Sequence, residues 1–146
     1  MIDTLNIEQA KNLIKKEKHD KISPIIVIAK DDNFNRKILE YGNFDILLSP
    51  EAGYKERTLR QIDSGLNHTL ASIAAKNKIS IGIDLDKLKN MEKKEKALMI
   101  ERIIQNIKLC KKAKVPLKIL NFKDRKNAFA FLISLGASTQ QAKEAF

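Results

Sequence analysis

Two short apolar runs, Ile25 to Ala29 and Ile46 to Leu48, carry no alternation with polar residues, a third segment sets Ile79, Ile81 and Ile83 around Ser80 and Gly82, and all three are stopped within a few positions by polar residues or proline. That is the pattern of strands covered on both faces. Leu117 to Phe122 makes a fourth. Between them the apolar period lengthens to that of a helix. Ile7, Ala10, Leu13 and Ile14 share one side of a helix over Asn6 to Lys16, and Phe34, Ile38 and Leu39 do so in a helix that Asp31 or Asp32 caps and Gly42 ends. Leu66, Leu70, Ile73 and Ala74 share a third face, with Asp63 or Ser64 as the expected N-cap and Asn77 suited to close the helix in the left-handed region.

The longest helix is expected over Met91 to Ala113, with Ile100, Ile103, Ile104, Ile107 and Cys110 inward and Glu101, Gln105, Lys108 and Lys112 outward. Asp124 should cap a helix to Leu135 that Gly136 ends, and Thr139 a final turn or two. Strand, helix and strand in this order imply right-handed parallel βα units. The expectation is one α/β domain over 1–146: an N-terminal helix and connector over 1–23, then four βα units over 24–146. An ordinary closed (β/α)₈ barrel needs roughly 250 residues. A four-stranded parallel sheet leaves two edges to be covered, paired or charged. The first helix, a second copy of the chain or a partner subunit could do this, and pairing or a partner is the expectation.

The chain carries 28 Lys and Arg against 18 Asp and Glu, a net charge of +10. Such an excess points to a polyanionic partner, nucleic acid ahead of an acidic membrane, although a lysine-rich surface alone gives the same sign. Cys110 is the single cysteine, so an internal disulfide and a multi-cysteine zinc site are excluded, and it reads as a buried thiol. No apolar run approaches the roughly 20 residues of a membrane span, and the expected location is the cytoplasm.

Five words set the chain apart: DILLSP, then Arg60 followed by QIDSGLNHTLA, AAKNKISIGIDL, and late in the chain FLISLGAS with QQAKEAF. In order and spacing, from about Pro24 to the end, the chain resembles ribonuclease P protein component 3, the archaeal and eukaryal barrel-type subunit of ribonuclease P. The resemblance implies a partial or half TIM-like barrel related to the polymerase and histidinol phosphatase fold. It also implies a subunit that binds ribonuclease P RNA, component 2 and other ribonuclease P proteins, and that meets precursor tRNA only indirectly while the RNA removes the 5′ leader. The family carries further βα units before the position of Ile25.

Catalytic chemistry finds little support in the residues. Metal-dependent phosphoesterases converge several His, Asp and Glu side chains on ions, and this chain has two distant histidines, His19 and His68. Asp84 and Asp86 end a strand where barrel enzymes place catalytic groups, but acids followed by Lys87 also serve as a cap. No P-loop, GxGxxG or GxSxG occurs. No catalytic residue, metal or cofactor is therefore assigned. A degenerate barrel phosphoesterase and a general basic RNA-binding scaffold remain the alternatives.

For phosphate contact, Lys55, Arg57 and Arg60 follow one strand and Lys123 and Arg125 another, so parallel topology places both groups at the carboxyl ends. Tyr54 is the one aromatic suited to stacking beside them. Lys76, Lys78, Lys111, Lys112 and Lys114 fall at the opposite end. Ser64, Gly65, Asn67 and His68 read first as a tight helix start, and then as a phosphate or partner contact.

Overall fold

The computed structural model describes residues 1–52 and 63–146. In chain order it contains α1 (Ile7–His19), β1 (Ile26–Ile28), α2 (Asp32–Tyr41), β2 (Ile46–Leu48), a 3₁₀ turn (Pro50–Ala52), α3 (His68–Lys76), β3 (Ser80–Asp84), α4 (Leu85–Lys89), α5 (Lys93–Ala113), β4 (Leu117–Leu120), α6 (Arg125–Ser134) and α7 (Thr139–Glu144). The four strands form one parallel sheet in the order β1-β2-β3-β4. Sequential parallel strands joined by helices are a segment of (βα) barrel wall.

Register explains the core. Val27, Leu47, Ile81 and Leu117 lie opposite one another across all four strands, and each is at most 1 % exposed. Helices cover this face, α1 on α2, α2 on α3 and α3 on α5, bringing in Ile14, Ile38, Leu39, Ile103 and Ile107. Each such side chain contributes about 1.5–3 kcal/mol by leaving water. On the other face, Ile26, Ile28, Lys118 and Leu120 stay half-exposed at the margins.

The two sheet edges are met by the chain itself. Ile2 pairs beside β1, donating to the Ile26 carbonyl at 2.8 Å and accepting from Ile28 at 2.9 Å. At β4, the Ile119 amide donates to the Ala145 carbonyl at 3.0 Å and the Lys118 ammonium to that of Glu144 at 2.8 Å. The first helix, the intrachain device considered from sequence, lies instead on α2.

Several boundaries differ from expectation for identifiable reasons. Asn67, not Asp63 or Ser64, caps α3, its side chain accepting from the Leu70 amide at 2.9 Å. Asn77 has φ −93°, and the left-handed position falls on Lys78 at φ 57°, because the Asn77 amide side chain donates to the Leu39 carbonyl at 2.6 Å and fixes it against α2. Ser138 takes the cap expected of Thr139, with Gln141 completing a capping box. β4 ends at Leu120, and Asn121 at φ 59° turns the chain out before Phe122. On α5 the buried stripe is Met99, Arg102, Ile103, Asn106, Ile107 and Cys110, while Ile100 and Ile104 are only half-buried. Asp31, one of the two candidates, and Asp124 cap their helices as expected, and Asn6, read as the first helical residue, is the cap of α1.

Candidate nucleic-acid and partner interface

The segment from Ser64 to His68 is a clamp. Gly65 has φ 78°, and a Cβ there would lie 1.9 Å from the Pro50 carbonyl oxygen, so the position excludes side chains on both counts. Its amide donates to the Asp63 carboxylate at 3.2 Å. Ser64 is fully buried, donates its hydroxyl to the Leu66 carbonyl at 3.2 Å, and offers its own carbonyl to the Asn106 amide side chain at 3.1 Å. The end of β2, the start of α3 and the middle of α5 are thereby tied together. Of the four residues singled out from sequence, Ser64 and Gly65 are interior, and Asn67 and His68 are exposed. These two line a cavity of about 460 Å³ with Asp32, Asp63, Leu66, Gln105 and Leu109.

At the carboxyl ends of the strands, Asp84 is a structural carboxylate. Its Oδ1 accepts from the Asp86 amide at 3.0 Å, the Lys87 amide at 3.4 Å and the Asn121 side chain at 2.9 Å, so it caps α4 and joins β3 to the exit of β4. Asp86 is exposed. Glu51, beyond β2, is 6 % exposed. Burial pushes its carboxyl up to about 7, against the opposing pull of its own backbone N–H, of Lys87 and of Arg102, with the Asp84 charge adding to the rise. Arg102 donates to the Glu51 carbonyl at 3.0 Å. Among the described residues no three His, Cys, Asp or Glu side chains are grouped to hold a metal ion.

Glu51, Arg102 and Asn106 escaped the sequence reading. The signal was present for two of them: Arg102 and Asn106 stand at helical spacing within the run from Met99 to Cys110, so both had to face the core. Cys110 is fully buried, as read, and burial raises its thiol to about 12.

Lys123 and Arg125 are exposed at the carboxyl end of β4. The Arg125 guanidinium lies 5.1 Å from the centre of the Phe146 ring, which in turn meets Phe122 edge to face at 4.9 Å. The guanidinium is thus held over the ring while the residue stays exposed. Lys55, Arg57, Arg60 and Tyr54 lie outside the described residues. The other basic group, Lys76, Lys78, Lys111, Lys112 and Lys114, sits at the amino ends of the strands, as topology required.

Comparison with known proteins bears on what these faces meet. Over 118 residues the chain is 30% identical to ribonuclease P protein component 3 of Methanococcus maripaludis strain C6, a match covering 81% of this chain and 47% of that protein. With component 3 of Methanocaldococcus jannaschii it shares 31% over 118 residues, at the same coverages. The chain is similar to ribonuclease P protein component 3 over about half of that protein's length. Component 3 of Thermococcus kodakarensis matches at 30% over 113 residues, 77% of this chain and 48% of that one. The likeness extends to the fold: a chain of archaeal ribonuclease P, solved by cryo-EM with mature tRNA, superposes with a TM-score of 0.78 at 28% identity, covering 97% of this chain and 61% of its own. No family model matches the sequence. The chain spans about half the length of the curated component 3 proteins it matches. No described helix is long and apolar enough to cross a membrane.

Proposed function

We propose that the chain is a protein subunit of ribonuclease P, the endoribonuclease that removes 5′ leaders from precursor tRNA, and that it binds RNA and partner proteins while the RNA cuts. The observation that carries this is the superposition of nearly the whole chain on a chain of archaeal ribonuclease P. Lys55, Arg57, Arg60, Lys123 and Arg125 contact phosphates of the catalytic RNA, the last two from the carboxyl end of β4. Asn67 and His68 meet component 2 or another subunit. This reading asks for no cofactor on the chain itself.

Reconstitution tests it. Added with component 2 to the catalytic RNA, the chain raises cleavage of precursor tRNA, and alone it cleaves none. Replacing Arg57, Arg60 and Arg125 together by Ala weakens assembly and lowers the slope of log K against log salt by roughly 0.7–0.9 for each lost phosphate contact. Replacing Lys111, Lys112 and Lys114 leaves the slope unchanged. Metal-dependent cleavage by the chain alone would replace this reading with a degenerate phosphoesterase, and equal binding to unrelated RNAs would replace it with a general scaffold.

A further inference from the structure

Between α4, α5 and α6 runs a groove of about 470 Å³, of which the ribonuclease P reading uses only Lys123 at the rim. Its apolar surface comes from Leu85, Leu88, Ile100, Phe122, Ala128 and Phe131. Leu85, Leu88 and Ala128 are buried and form the floor, whereas Phe122 stays 38 % exposed at the mouth, fixed edge to face by Phe146. Open apolar ground with a pre-positioned aromatic is the anatomy of a protein contact.

The charge around it has one sign. Lys89, Lys96 and Lys123 stand on the rim, and none of the three makes an ion pair or side-chain hydrogen bond among the described residues. The one acid of the lining, Asp124, is occupied as the cap of α6, accepting from the Lys126 amide at 2.9 Å. Helices α5 and α6 wall the groove, and beyond the first turn of α6 their backbone groups are already paired within the helices. An extended peptide would find no partners there for its amides, while a helix brings its own satisfied. RNA fits poorly, since its phosphates would lose water over leucine and isoleucine.

We propose that this groove docks an acidic amphipathic helix of a partner protein, apolar face on the floor and carboxylates toward Lys89 and Lys96. The inference stands on the chemistry of the groove, whether or not the chain serves ribonuclease P. The test is an NMR titration of the isotope-labelled whole chain with three probes: a helical peptide with Leu and Phe on one face and Glu on the other, the same peptide with Lys replacing Glu, and single-stranded oligouridylate. The Glu peptide should shift the signals of Leu88, Ile100, Phe122 and Phe131. The combined Lys89→Glu and Lys96→Glu variant should keep its unfolding midpoint and bind that peptide about tenfold more weakly. Unmoved groove signals with the Glu peptide, equal binding of the Lys peptide, or displacement of the Glu peptide from the groove by the RNA would each overturn the proposal.

Discussion

Gly65→Ala is expected to destabilise the protein by about 3 kcal/mol or more, combining about 1–2 kcal/mol for a left-handed alanine with about 1–3 kcal/mol of overpacking. The collision is severe because the atom in the way, the Pro50 carbonyl oxygen at 1.9 Å, belongs to the backbone and cannot rotate aside. Relief requires parting the end of β2 from the start of α3, which also strains the bond from Asn106 to the Ser64 carbonyl. At about 2–4 °C per kcal/mol for a chain of this size, thermal unfolding should fall by about 10 °C. Gly136→Ala is the control. It shares the positive φ, at 100°, but a Cβ there meets nothing within 4 Å, so it loses only the conformational part. Equal losses for the two variants would show that the contact with Pro50 does not crowd the site.

Glu51→Gln should remove a pH dependence of roughly 3 kcal/mol, the value of a rise from 4.5 to about 7 at about 1.4 kcal/mol per pH unit. The folded protein holds the proton more tightly than the unfolded chain. The contribution is therefore fully present below pH 4.5 and is lost as pH rises toward 7, where the native state must bury a carboxylate. Lys87 and Arg102 offset part of that burial and Asp84 adds to it, so the residual cost is set by desolvation. In urea titrations, wild type should lose stability relative to Glu51→Gln between pH 4.5 and 7.5, with the variant the more stable above pH 7. A constant difference across that range would show that Glu51 ionises in the fold as it does in water.

How far the sequence disclosed all this depended on range. Strands, helix faces and most caps were legible because they are set by neighbours a few positions apart: Val27, Leu47 and Ile81 announce buried strands, and Asp31 and Asp124 announce helix starts. The start of α3 was misread because it is decided by Pro50, distant in sequence, whose carbonyl forces Gly65 into its turn and delays the helix to His68. Asn77 went the same way, drawn from the left-handed region by Leu39 across 38 positions. Edge protection by Ile2 and Ala145 is a tertiary event with no local signature. At the candidate interface, parallel topology alone separated Lys123 and Arg125 from the lysines at the amino ends of the strands, while Glu51 on the carboxyl-end face became visible only once burial was known.

Recovery of the RNA bound to the tagged chain from its own cells tests the central claim most directly. A ribonuclease P subunit should bring down ribonuclease P RNA well above its share of total RNA, together with component 2, and the enrichment should fall when Arg57, Arg60 and Arg125 are replaced by Ala. Recovered RNA that mirrors the cellular pool, with ribosomal RNA dominant and ribonuclease P RNA no more enriched than tRNA, would contradict the account.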